Sequence, residues 1–101
     1  MSQPGFQLSH PAPETLAVSG ALTFATASEA LSAGRAALDR GSQVFLDLAA
    51  VAQADSAGLA TVLALLAHAR GEGRALSVTN APAGLQALAR VSGVESLLTL
   101  A

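Results

Sequence analysis

Residues able to do chemistry are few, and their spacing argues against catalysis. The chain has no cysteine, so neither a disulfide scaffold nor a thiolate metal site can form. Its two histidines stand apart, His10 in a proline-rich start and His68 late in a helical pattern. Neither is read as having an Asp or Glu at metal-ligand spacing. His10 is therefore expected in a solvated loop, and His68 on a helix surface, where the dipole mildly favours a cation. No G-x-S-x-G elbow presents a serine nucleophile. Arg70-Gly71-Glu72-Gly73-Arg74 looks like a glycine-rich phosphate loop, but it ends a helix and offers carbonyls where a phosphate needs amides. A helix stop followed by a turn explains both glycines. No catalytic residue, metal or cofactor is expected.

One segment does not read as ordinary core: Val51-Ala-Gln-Ala-Asp55-Ser56-Ala57-Gly58-Leu59. Asp55 or Ser56 can serve as N-cap, its side-chain oxygen accepting from an early helix amide. Gly58 is harder to explain, since glycine in a first turn costs roughly 0.5–1 kcal/mol relative to alanine. Either its missing side chain lets another group approach an exposed helix start, or it is a tolerated glycine in a plain capped helix. The residues alone leave both readings open.

The elements that must position this segment follow from periodicity. Residues 1–13 carry Pro4, Pro11 and Pro13, which restricts them to an extended edge strand or a loop. Residues 15–19 alternate as a strand with one buried face and stop at Gly20. Thr26-Ala-Ser-Glu29 matches a capping box opening a helix to about Arg40, with Ala27, Leu31, Gly34 and Leu38 inward and Gly41 as the stop. Residues 43–48 form a near-continuous apolar run, which suits a central strand covered on both faces. Leu59, Val62, Leu63 and Leu66 then make the clearest helical stripe in the chain, ended by Gly71 and Gly73. A short strand over 75–79 precedes a helix opened by Pro82, with Leu85, Leu88 and Ala89 inward and Gly93 closing it. Residues 94–101 are left as a last helical turn or a short edge segment. This strand–helix alternation predicts one α/β domain, a sheet with helices packed on it.

Composition narrows the function. Net charge is −2, with five arginines and no lysine, so there is no basic patch for nucleic acid and no polybasic membrane anchor. Trp and Tyr are absent, which argues against base-stacking platforms and an aromatic membrane belt. The longest relevant uncharged stretch, 56–69, has fourteen residues, short of the roughly 20 needed to span a bilayer. Residues 1–13 lack the charge and apolar run of a secretory signal. A soluble, intracellular domain is expected.

Asp47-Leu-Ala-Ala-Val-Ala-Gln-Ala-Asp55-Ser56-Ala57-Gly58-Leu59 resembles the STAS-domain pattern, without gaps. In that family a strand ending Asp-Leu-small-x-aliphatic meets a helix opening Asp-Ser/Thr-x-Gly-Leu. Asn80-Ala-Pro82, Leu85, Leu88-Ala89 and Val91-Ser-Gly93-Val94 resemble its final helix, so the likeness spans about residues 15 to 98. It implies a single STAS domain with a mixed central sheet. Two soluble branches fit. The tail and the alanine-rich helix are most similar to the cytoplasmic (MlaB-like) STAS subunit of the Mla phospholipid-transport ABC complex, which maintains outer-membrane lipid asymmetry in Gram-negative bacteria. That resemblance implies a non-catalytic adaptor, cytoplasmic and peripheral at the inner membrane, docking on the ABC transporter's ATP-binding subunit. Asp55, Ser56, Ala57, Gly58 and the outward position Thr61 would make the contact. The alternative is an anti-sigma factor antagonist, with Ser56 as phospho-acceptor for an anti-sigma factor serine kinase. Such antagonists more often carry a second serine where Ala57 stands.

Overall fold

In the computed structural model residues 5–100 are described, with side chains through Leu98; Pro4 of the N-terminal segment lies outside them. The order is β1 (Phe6–Ala12), β2 (Thr15–Leu22), α1 (Ala27–Asp39), β3 (Phe45–Ala54), α2 (Ser56–Gly71), β4 (Ser77–Thr79), α3 (Ala83–Val91) and α4 (Glu95–Leu100). The four strands form one sheet in sequence order. β1 is antiparallel to β2, whereas β2–β3 and β3–β4 are parallel, so the sheet is mixed. The parallel pairs require crossovers, which α1 and α2 supply.

The helices cover one face. Leu16, Val18 and Leu22 of β2 and Leu46, Leu48 and Val51 of β3 enter the core with Leu38, Leu59, Val62, Leu65, Leu66 and Leu85. The alternate residues of β3 look outward, and Phe45 is 40% exposed. This corrects the expectation of a strand covered on both faces. An unbroken apolar run does not distinguish a doubly covered strand from one whose outer members sit on an open face.

Two strands outrun their expected ends. β2 continues past Gly20, which takes φ +86° at an irregularity in the pairing with β3. A Cβ there would stand 2.5 Å from the Gly5 carbonyl oxygen, so glycine lets β2 run on instead of stopping it. β3 in turn extends to Ala54, paired with Leu22.

The capping box at Thr26 does not form. Thr26 occupies the N-cap position of α1 without a side-chain cap bond. Its Oγ1 instead donates to the Ala21 carbonyl at 2.9 Å and accepts from the Thr23 amide at 3.0 Å. The hydroxyl is spent folding the β2–α1 loop onto itself.

Candidate functional site

The parallel crossovers bring the starts of α1 and α2 to the same end of the sheet. Asp55 joins them. Its Oδ1 accepts from the Gly58 amide at 3.0 Å, making Asp55 the N-cap of α2, and its Oδ2 accepts from the Phe24 amide at 3.0 Å. The Asp55 amide donates to the Leu22 carbonyl at 3.2 Å, anchoring the same turn to the end of β2. The Phe24 amide first, and the Gly58 amide after it, hold the Asp55 carboxyl below its ordinary value. The carboxylate is therefore a structural bridge between two loops.

The residues singled out in the sequence divide into two groups. Ser56, first residue of α2, is exposed, and Ala57 is half-buried. Gly58 and Thr61 are buried. Gly58 does accommodate a close approach, but from within the chain: a Cβ would overlap the Leu22 carbonyl oxygen and lie 2.6 Å from its carbon. Thr61 is 4% exposed and donates its hydroxyl to the Ala57 carbonyl at 2.9 Å, so it is not an outward position. The α2 stripe is wider than the apolar residues alone suggested, and Thr61 sits inside it.

The structure adds Phe24, which is 85% exposed although its backbone is held by Asp55. Nothing in the local pattern Leu22-Thr-Phe-Ala-Thr separates an outward phenylalanine from one turned into the core. Only the exposure reveals it.

At the opposite end, His68 is not a lone surface histidine. Its Nε2 lies 2.8 Å from Asp39 Oδ1 and 3.8 Å from Glu72 Oε1, the latter at i+4 on its own helix. The spacing to Glu72 was legible in the sequence; the approach of Asp39 from α1 was not. These three groups lie within 4.8 Å of one another, a grouping that a metal ion can use. However, the Arg74 guanidinium stands 3.3 Å from Glu72 Oε1 and donates to the carbonyls of Leu38 and Gly41. A fixed cation there opposes a second one, and the cluster reads as an ion-pair strap between the C-terminal ends of α1 and α2. The His68 hydrogen bond is the main influence holding the Asp39 carboxyl below its ordinary value. His10 likewise is no loop residue: it lies in β1, with Nε2 3.0 Å from Nε2 of the buried Gln43.

A mixed four-stranded sheet with helices on one face, and a helix opened by Asp55-Ser-Ala-Gly-Leu59 at the end of a parallel strand, define the class. The chain belongs to the STAS family: the family described as "Mlab, STAS domain" matches residues 7–99. It is similar in fold to the anti-sigma factor antagonist SpoIIAA in its unphosphorylated form, with TM-score 0.70 and 18% identity over 91% of this chain and 84% of that one. The phosphorylated form of the Bacillus cell fate determinant SpoIIAA gives TM-score 0.65 and 18% identity, over 91% and 86% of the two chains. At that identity the likeness is one of fold. No curated protein matches the chain in sequence. STAS domains are generally binding adaptors. Among the described residues, no helix is long and apolar enough to cross a membrane.

Proposed function

We propose that this chain is a non-catalytic adaptor that docks, through the end of the domain carrying Ser56, on the ATP-binding subunit of an Mla-type phospholipid-transport ABC transporter. The observation that supports this best is the match of residues 7–99 to the Mlab STAS family, with the Asp55–Leu59 segment folded into a capped helix start whose Ser56 is exposed. Asp55 orders that start, Gly58 lets it seat on β2, and Ser56 presents a short hydroxyl beside half-buried Ala57. ATP hydrolysis belongs to the partner, and the adaptor stabilises or regulates it from the cytoplasmic side of the inner membrane.

The second reading is a phosphorylation switch at Ser56, recognised by a serine kinase. Its exposure makes the hydroxyl available, and a phosphate would add about −1.5 to −2 charge at the helix start. No arginine of this chain lies near Ser56 in sequence to receive that charge, and the adjacent Asp55 opposes it.

Affinity purification from gently solubilised cells, with mass spectrometry of partners and of Ser56, tests both. Recovery of an ABC ATPase and its permease with Ser56 unmodified establishes the adaptor. A soluble serine kinase and phosphate on Ser56 would replace it with the switch.

A further inference from the structure

Gln43, 2% exposed in the loop between α1 and β3, has its side-chain amide engaged on every side. Its Nε2 lies 3.0 Å from the Ala37 carbonyl oxygen and 3.0 Å from Nε2 of His10, and its Oε1 lies 3.4 Å from a guanidinium nitrogen of Arg74. Gly41 closes over the amide, where a Cβ would stand 2.6 Å from Nε2 and 2.8 Å from Oε1. A carbonyl oxygen can only accept and a guanidinium can only donate, so the amide has one possible orientation. Its NH2 faces Ala37 and its oxygen faces Arg74. The second N–H is then left for His10, whose Nε2 has to accept it. That fixes the tautomer: the neutral ring carries its proton on Nδ1.

An imidazolium has donors at both nitrogens and no acceptor. Gln43 cannot turn over to meet it, because its oxygen would then confront the Ala37 carbonyl and its NH2 the guanidinium. The contact therefore exists only while His10 is neutral. His10 is exposed, so solvent protons reach it. Among the described residues no carboxylate is hydrogen-bonded or ion-paired to it, and β2 carries no titratable side chain. The charges on the other elements around it are Glu14 in the β1–β2 turn, Asp39 and Arg40 at the end of α1, and Arg74. Asp39 is held by His68, and Arg74 by the Gln43 oxygen, the Leu38 and Gly41 carbonyls and Glu72.

The contact stands at the weak point of β1. Its register with β2 shifts between Ser9 and Ala12, and Pro11 within that gap has no amide to donate. A side-chain tie from His10 to the α1–β3 loop bridges the irregularity.

We propose that His10 is a pH-sensitive latch: neutral, it fastens the end of edge strand β1 to the buried Gln43, and protonated, it releases it. The geometry sets the sign. The latch is closed above the ordinary histidine range, about pH 6.5, and opens as pH falls below it. His68 responds in the opposite sense, since protonation strengthens its pairing with Asp39 and Glu72.

NMR of the isotope-labelled chain between about pH 8 and pH 5 tests this, with His10→Gln and His68→Gln as variants. Circular dichroism melts establish that each variant is folded. Ring correlations should place the His10 proton on Nδ1 at the alkaline end. On acidification the Gln43 side-chain NH2 signals should move in step with the His10 ring. Hydrogen-exchange protection of the β1 amides should fall roughly two- to tenfold beyond the intrinsic pH effect, which is what one hydrogen bond contributes. The same changes should persist in His68→Gln. In His10→Gln, whose side-chain oxygen accepts throughout this range, the Gln43 signals and the protection should stay constant. A proton on Nε2 of His10, or Gln43 signals that stay still while the ring titrates, overturns the latch. So does an equal loss of protection in His10→Gln, which would place the acid response elsewhere.

Discussion

Gly58 lies directly beneath the carbonyl of Leu22, so that any side chain at 58 would collide with the backbone of β2. The same carbonyl accepts the Asp55 amide, which makes this contact the joint between the sheet and the start of α2. Helix propensity would favour alanine at 58 by about 1 kcal/mol. The collision is with backbone, which cannot swing aside, and overpacking of this kind costs about 1–3 kcal/mol. Gly58→Ala is expected to lower the urea midpoint despite the better helix former. Gly34→Ala is the comparison, because there a Cβ meets the Leu65 Cδ2 tip at 2.7 Å. A leucine tip can rotate, so its net cost should be roughly 1 kcal/mol or less. Equal losses at the two sites would show that the Leu22 joint is not special.

Asp55 gives a pH dependence with a definite sign. Its carboxyl is held below the ordinary value by the Phe24 and Gly58 amides. The stabilisation is therefore in force above the ordinary aspartate range, about pH 4, and is lost as pH falls through the lowered folded value. Asp55→Asn keeps an acceptor but no longer offers two anionic oxygens. Unfolding midpoints from about pH 7 to pH 3 should show wild type above Asp55→Asn at neutral pH, with the gap closing at the acid end. A gap that does not change with pH would mean the charge of Asp55 plays no part in the bridge.

The His68–Asp39 contact, between residues 29 positions apart, predicts a second acid-sensitive difference. The Asp39 carboxyl is also held below its ordinary value, first by the His68 hydrogen bond, so its contribution too is present above the ordinary range and fades as pH falls. Both side chains are partly open to solvent, so the contact contributes little. Asp39→Asn should lower the thermal midpoint slightly at neutral pH, with the difference narrowing as pH falls toward about 3. A loss that does not narrow would point to packing of the α1 end in place of the Asp39 charge.

Much of this fold was legible because its signals are local. The Asp55-Ser-Ala-Gly-Leu59 segment, the 56–71 helix and the Pro82-led helix each follow from spacing within one element. What was not legible depends on residues distant in sequence. Thr26 reads as a cap until the loop that claims its hydroxyl is seen, and His68 reads as solitary until α1 delivers Asp39. Gly58 reads as an invitation to a partner until β2 fills the space. Phe24 is a different case: its local pattern does not fix which way it turns, and it stands in solvent.

The one-sided sheet offers the sharpest contrast between neighbouring residues, because Leu46 is fully buried and Phe45 is 40% exposed. They are adjacent in β3, so the pleat turns them to opposite faces. Leu46→Ala should cost about 2–5 kcal/mol, since the cavity would open among Leu16, Val78 and the helices. Phe45→Thr should leave stability within about 1 kcal/mol, because threonine favours a strand and the ring covers little of the core. Urea titration of the two variants under identical conditions measures both. Comparable losses would mean the Phe45 face is covered in solution, and a self-association measurement on wild type and Phe45→Thr would then identify a second copy as the cover.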